Sequence, residues 1–401
     1  MTKLSPLGKS GLMPQEEMLE VQSKQQRLFI GLPKEKAFQE NRIAIVPEAV
    51  QLLVSHGHEV MVETGAGDSA NFSDNAYSEA GAKIVYDTKS VYQADIIMKV
   101  EPPTLEEVGL MKGGQTLVSA LQITTQSKEY IEQLLAKKIT ALAYEFIQDE
   151  GATMPLIRSM SEIAGNTALL IASEYLSNVH DGKGLMLGGI AGVTPTEVVI
   201  VGAGTVGECA TRAAMGLGAS VKVFDNSLAK LRRLQNDINA RVYTSIIQPK
   251  VLSKALRRAD VVIGALRSND RRTPCVISDE MVQSMKEGSV IVDVSIDQGG
   301  CVETSEVTNH ANPVFTKHGV IHYCVPNIPS RVSRTASFAL SNLLTPILLQ
   351  VSDEGGLENV LRRDAGLRHG VYLCHGILSN RMVGEWFEMP HKDIDLLIAS
   401  M

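Results

Sequence analysis

Residues Val198-Val-Ile-Val-Gly-Ala-Gly-Thr-Val-Gly207 decide the fold of this chain. The aliphatic run reads as a strand covered on both faces of a parallel sheet. The glycines follow at the spacing G-x-G-x-x-G and open into a helix-forming stretch from Glu208. Gly202 can make the tight turn, Gly204 lets backbone approach a pyrophosphate, and Gly207 lets the helix pack close to the strand. The helix N-terminus then offers free N–H groups to the phosphates. A second strand, Ser220-Val-Lys-Val-Phe, ends in Asp225. A carboxylate there can accept hydrogen bonds from both adenosine ribose hydroxyls and repels a 2′-phosphate, which points to NAD over NADP. A purely structural βαβ turn is the alternative.

The 401 residues suggest two domains and allow a large core. The net charge of −7 and the lack of a basic stripe argue against nucleic acid. Five scattered cysteines, with no C-x-x-C pair, suit reduced thiols in a cytoplasmic protein and give neither a disulfide frame nor a zinc site. No metal is expected, because histidines and carboxylates do not recur at ligand spacing. No uninterrupted apolar run reaches the roughly 18 residues of a membrane helix. Residues 1–26 are polar, lack the apolar core of a signal peptide, and read as an N-terminal extension with an exposed helix or disordered arm over 14–27.

Working outward from the glycine turn, strands alternate with helices on both sides, which implies parallel sheets with crossovers. Strands are expected at 28–32, 59–63, 94–100, 115–121 and 140–144, with a short strand after the charged loop that ends at Asn41. Pro47 starts a helix through His56. A long helix over 161–178, with Ser161 as N-cap and Ile163, Leu169, Leu170, Ala172 and Leu176 on its apolar face, bridges the domains. Strands at 261–266 and 289–296 extend the second sheet, residues 321–326 lead out of it, and the C-terminal residues read as helical. The expected architecture is α/β, with two Rossmann-like domains. Residues 27–155 and 334–401 form a substrate domain, into which an NAD-binding domain of residues 156–333 is inserted.

Three charged residues stand where chemistry is plausible. Asp297 follows a strand and precedes Gln298-Gly-Gly300, so its carboxylate can sit beyond a strand end, the usual ligand position in open α/β sheets. It could hold ammonia or water or steady a cationic intermediate; a turn aspartate is the plainer reading. The guanidinium of Arg42 can grip a substrate carboxylate in two-point fashion, or simply be a surface charge. Lys99 ends an apolar strand, where a cation can polarise a carbonyl or be solvated. Sequence spacing alone does not bring these three together.

Several widely spaced motifs, taken together, resemble the alanine dehydrogenase family, which is related to the NAD(H)-binding part of proton-translocating transhydrogenase. They are Asn41-Arg-Ile-Ala-Ile-Val-Pro47, Gly65-Ala-Gly67, Lys99-Val100, Ala143-Tyr-Glu145, Met160-Ser-Glu-Ile-Ala-Gly165, the glycine turn, Asp293-Val-Ser-Ile-Asp-Gln-Gly-Gly-Cys301 and Val325-Pro-Asn-Ile-Pro329. The resemblance implies interconversion of L-alanine with pyruvate and ammonia by hydride transfer with NAD. It places Arg42 and Lys99 on the pyruvate carboxylate and carbonyl, and Asp297 as the catalytic carboxylate. Ser161, Asp225, Lys230, Leu266 and Asn327 would contact the cofactor, along with Gly202, Gly204, Val206 and Gly207. It also implies a homo-oligomer, typically a hexamer.

The chain departs from the pattern at Gln122, where the resemblance calls for a catalytic histidine. An imidazole donates and accepts a proton near neutral pH, whereas an amide only hydrogen-bonds. Either another group supplies the proton, with Asp297 and Lys99 the nearest candidates, or the substrate differs, or the chain binds NAD with little turnover. The alternatives are a related dehydrogenase taking another 2-oxo acid or amine, as saccharopine dehydrogenases do, a transhydrogenase-like subunit, and an NAD sensor. Against a transhydrogenase subunit, the stretch from Glu145 to Met160 leaves no room for the long loop those subunits carry, and they usually have Glu where Asp297 stands.

Overall fold

The computed structural model describes residues 25–399, apart from Phe38 and residues 268–272. The expected arm over 14–27 therefore falls outside the described residues as far as residue 24. The rest is α/β, built on two largely parallel sheets.

The first sheet holds β1 (Phe29–Leu32), β2 (Glu59–Glu63), β3 (Lys83–Val85), β4 (Ile96–Met98), β5 (Thr116–Ser119) and β6 (Thr140–Ala143), all parallel. The second holds β7 (Glu197–Val201), β8 (Ser220–Phe224), β9 (Tyr243–Ser245), β10 (Val261–Gly264), β11 (Val290–Asp293), β12 (Val314–Lys317) and β13 (Val320–Tyr323), parallel except for β12. The chain then returns to the first sheet, where β14 (Val371–Cys374) pairs antiparallel with β6 and β15 (Ile377–Leu378) closes the edge. Val198, Val199, Ile200 and Val201 are fully buried, as helices on both faces of a parallel sheet require.

Strand order places the functional crevice. In the first sheet, β2 and β3 lie to one side of β1, while β4, β5 and β6 lie to the other. In the second, β8 and β9 lie to one side of β7, while β10, β11 and β13 lie to the other. The order thus reverses between β1 and β4 and again between β7 and β10, and in open α/β sheets ligands bind beyond strand carboxyl ends at such reversals.

Two helices span the sheets. The helix Pro155–Leu176 packs on the helix Thr205–Gly216 so closely that a Cβ on Gly165 would lie 2.4 Å from the Val206 carbonyl oxygen. The helix Ser333–Asp353 carries the chain back and packs against Pro47–Ser55 and Pro155–Leu176. Among the described residues, only the segment Ile328–Asp353 is long and apolar enough to cross a membrane, and half of it is buried in these contacts.

Several expectations need correction. The bridging helix starts at Pro155, whose fixed φ suits a first turn, so Ser161 lies inside it rather than capping it. Its core face uses Leu169, Ala172 and Leu176, but Leu170 is 64% exposed. No strand forms over 43–46, because the backbone donors there find serine hydroxyls instead of a sheet. Ile43 N–H donates to Ser337 Oγ (2.9 Å) and Val46 N–H to Ser341 Oγ (3.2 Å). Residues 320–323 are a paired strand before they are an exit. The C-terminal region is mixed, since β14 and β15 interrupt its helices.

Candidate active site

The carboxyl end of the first sheet carries a buried charge network. After β1 the chain turns through Glu35 and Glu40 to Arg42. Arg42 donates to Glu40 from Nε (2.8 Å to Oε1) and from Nη2 (2.5 Å to Oε2). Its own backbone N–H also donates to Glu40 Oε1 (2.8 Å). The same Nη2 lies 3.4 Å from Glu101 Oε1, and among the described residues Nη1 meets the Met160 thioether at 3.5 Å. Burial opposes the ionised form of Glu40, but the charge and hydrogen bonds of Arg42 outweigh it and hold that carboxyl low. Glu101 lacks such a two-point partner. Burial, and then the charge of Glu40, push its carboxyl well above the ordinary range.

Lys99 does not pair with Glu40 or Glu101 directly; its partners are Glu107 and Glu35, and Glu35 in turn accepts from the Val100 and Glu101 N–H groups. Lys99 is 1% exposed, and its ammonium is held by both oxygens of Glu107 at 3.1 Å and by Glu35 at 3.4 Å. Burial disfavours the charge, but Glu35 and Glu107 more than offset this and raise the Lys99 pKa. Glu107 is fixed in turn by a capping box with Thr104. The ammonium's three donors thus face three carboxylate oxygens. The residue two positions on, Glu101, is the one that meets Arg42.

Gln122 follows β5 in a left-handed backbone conformation, φ 47°, which is uncommon for a residue with a side chain. Glu145, after β6, holds that turn by accepting the N–H groups of Leu121 (2.7 Å) and Gln122 (3.1 Å). The turn delivers Nε2 of Gln122 as a donor to Glu101 Oε2. Tyr144 donates its hydroxyl to the Val100 carbonyl at 2.6 Å and so braces the same strand ends.

The second sheet faces the crevice with backbone. Gly202 has φ 121°, and a Cβ there would lie 2.2 Å from the Ala265 carbonyl oxygen. A Cβ on Gly207 would lie 1.9 Å from the Gly202 oxygen, whereas one on Gly204 would meet nothing within 4 Å. No side chain caps the helix Thr205–Gly216, which leaves its first-turn N–H groups for an anion. These features fit a dinucleotide pyrophosphate. Val206 and Leu266 are half-buried at the same rim, and Lys230 is exposed in the first turn of the helix after β8. Asp225 is buried and already accepts from Ala203 N–H and Ser227 N–H, both at 2.7 Å. It therefore shapes the glycine turn, and each oxygen keeps a second lone pair for a ribose hydroxyl. Ser161 is half-buried in the bridging helix, next to the Met160 that touches Arg42.

Asn327 joins the two halves. Its N–H donates to Asp297 Oδ1 (3.1 Å) and its Nδ2 to Glu40 Oε2 (2.7 Å). Asp297 lies on the short 3₁₀ turn Val294–Gln298 after β11. The residue is exposed, but the protein around its carboxyl raises it to about 6, against the pull of the Asn327 hydrogen bond and of Arg42. Glu40 and Glu101 thus link Arg42, Gln122, Asn327 and Asp297 by hydrogen bonds, and Lys99 meets that chain only through Glu35. Sequence reading missed Glu40 and Glu101. Their only signal was position: one stands two residues before Arg42, and the other closes the same strand end as Lys99. His322 is not in the crevice. It is buried on β13, stacked on Phe315, with its ring nitrogens 2.7 Å from Thr304 Oγ1 and 2.9 Å from the Val320 oxygen.

Comparison with known proteins agrees with this architecture. The N-terminal domain model of alanine dehydrogenase/PNT matches residues 31–164, and the C-terminal domain model matches residues 168–381. An alanine dehydrogenase of Bacillus subtilis (strain 168) is 41% identical over 357 residues, covering 89% of this chain and 94% of its own. Among solved structures, an L-alanine dehydrogenase superposes with a TM-score of 0.83 at 37% identity, over 90% of this chain and 99% of that one. A transhydrogenase from Sinorhizobium meliloti gives 0.74 at 25% identity, over 88% and 99%. With two domain models and a relative at this identity spanning almost the whole length, the chain belongs to the alanine dehydrogenase/PNT family.

Proposed function

We propose that this protein is an NAD-dependent amino-acid dehydrogenase that interconverts L-alanine with pyruvate and ammonia. The observation that carries the reading is Asn327, which ties the Asp297 carboxylate of one sheet to the Glu40–Arg42 pair of the other. That link sets a carboxylate, a guanidinium and a dinucleotide turn around one crevice. The 36–41% identity to curated alanine dehydrogenases supports the choice of substrate.

Gly202, Gly204, Val206 and Gly207 would hold the pyrophosphate, Asp225 the adenosine ribose, and Lys230, Ser161, Leu266 and Asn327 the remaining cofactor edges. When bound, the nicotinamide supplies or accepts a hydride. Arg42 offers the substrate carboxylate its Nη1 edge, where the partner among the described residues is a thioether. Asp297, raised to about 6 and mostly ionised at neutral pH, offers a carboxylate that can steady the cationic iminium. We assign residues 27–155 with 334–401 to substrate binding and residues 156–333 to the cofactor. We further assign a cytoplasmic homo-oligomer, which the family suits.

The experiment is NADH oxidation by purified protein with ammonia and a panel of 2-oxo acids. Rapid turnover with pyruvate supports the assignment. Turnover with a different acid or amine alone supports a second reading, a related dehydrogenase, which the Gln122–Glu101 pair favours by changing what faces the substrate. NADH binding with no turnover overturns both.

A further inference from the structure

Two carboxyl groups converge on one guanidinium nitrogen in this crevice. Arg42 Nη2 is 2.5 Å from Glu40 Oε2 and 3.4 Å from Glu101 Oε1. Glu40 also takes Arg42 Nε and Asn327 Nδ2. The negative charge therefore belongs on Glu40, and two carboxyls sharing a site do not both ionise readily. The second oxygen of Glu101 meets Gln122 Nε2, at the position where the family resemblance expects an imidazole. Lys99 does not neutralise Glu101, because its ammonium is already matched by Glu35 and Glu107. The charged and titratable groups around Glu101 are Glu40 and Arg42 beside it, Glu35, Lys99 and Tyr144 behind it, and Asp297 across the crevice.

We propose that Glu101, sharing a proton with Glu40 and oriented by Gln122, is the proton-transferring acid of this site. The inference rests on the dehydrogenase reading above. In the direction of amination, the nitrogen lone pair of ammonia forms a bond to the carbonyl carbon. The C=O π pair moves onto oxygen, which takes the proton of Glu101. The cationic nitrogen of the adduct returns a proton to the Glu101 carboxylate. Glu101 then protonates the hydroxyl oxygen, the C–O bond breaks, water leaves with the bonding pair, and the nitrogen lone pair closes C=N. Solvent reprotonates Glu101. The sum is 2-oxo acid, ammonia and one proton going to iminium and water. Gln122 can aim the carboxyl but has no proton to transfer at these pH values.

The test uses the full-length chain and compares wild type with E101Q, E101D and H310Q. His310 is the rival donor near Asn327; burial lowers its pKa, and among the described residues its buried Nε2 has no hydrogen-bond partner. E101Q is expected to lower kcat by about 10²- to 10⁴-fold, with KM for pyruvate and NADH affinity within a few-fold of wild type. It is also expected to lose the alkaline limb of the wild-type pH profile. E101D, which keeps the acid but withdraws it by one methylene, retains that limb at a reduced kcat. It serves as the informative variant if E101Q does not fold. H310Q keeps the wild-type rate. A wild-type kcat and pH profile in E101Q or E101D, or loss of the limb in H310Q instead, overturns the proposal while wild-type turnover leaves the dehydrogenase reading intact. Absence of turnover in the wild type overturns both.

Discussion

The two walls of the crevice are made of different material. The wall from the second sheet is backbone: Gly202, Gly204 and Gly207 keep side chains away, and the helix Thr205–Gly216 starts without a cap. The wall from the first sheet is side chains: Glu40, Arg42 and Glu101 meet in buried ion pairs, and Gln122, from a third strand end, hydrogen-bonds Glu101. A pyrophosphate needs only N–H groups and room, so one local motif builds its site. Recognising and protonating a small 2-oxo acid needs charges that distant segments must deliver. The backbone wall should therefore fail by strain, and the charged wall by electrostatics.

The largest effect is expected from Arg42→Met. It leaves Glu40 and Glu101 buried without their cation, so stability should fall by about 3–5 kcal/mol in thermal or urea melts, with turnover abolished. A stable, active variant would show that the charged wall is not organised by Arg42. Asp297→Asn should cut kcat by about 10²- to 10⁴-fold while NADH titration by fluorescence changes little. Equal losses in both measurements would turn Asp297 into a cofactor ligand and blur the two walls. Gly202→Ala strains the backbone wall alone. A Cβ at φ 121° would lie 2.2 Å from the Ala265 oxygen, so a loss of about 3 kcal/mol in stability and a collapse of NADH affinity are expected.

The charged wall also has a pH signature. Burial raises the Glu35 carboxyl from 4.5 to about 7, against the pull of Lys99. The folded chain thus holds that proton more tightly than the unfolded one. Its contribution is fully present below pH 4.5 and is lost as pH rises through about 7. Melts across this range should show stability falling on the order of 1–3 kcal/mol from this group, and Glu35→Gln should flatten the slope. A steeper fall in the variant would place the titration elsewhere. The smallest effect is expected from Gln122→His. With Glu101 already carrying the proton, the rate should change by less than about tenfold, and a larger gain would return the proton transfer to position 122.

The two walls differ in how legible they were. The glycine spacing and the aliphatic run before it place β7, the tight turn and the cofactor helix, because each of these is a local consequence of missing Cβ atoms and of burial on both faces. Arg42 and Asp297 could be nominated, since charged residues at strand ends are visible in a one-dimensional reading. Lys99 was nominated on the same grounds, and the structure turned it inward, since Glu35 and Glu107 lie close enough to claim its charge. The short strand expected after Asn41 does not form either, because the serines that satisfy the backbone of Ile43 and Val46 come from almost 300 residues away.

The sequence by itself determined the α/β class, the dinucleotide turn and the family, through local patterning and the order of motifs along the chain. Only the tertiary structure decided the company of each charge. It set Glu101 rather than Lys99 beside Arg42, and it aimed Gln122 at Glu101 from a left-handed turn held by Glu145. It also let Asn327 join the two sheets. The physical reason is that a buried charge is defined by its nearest opposite charge. That distance depends on how strands order themselves in a sheet, which no local stretch of residues encodes.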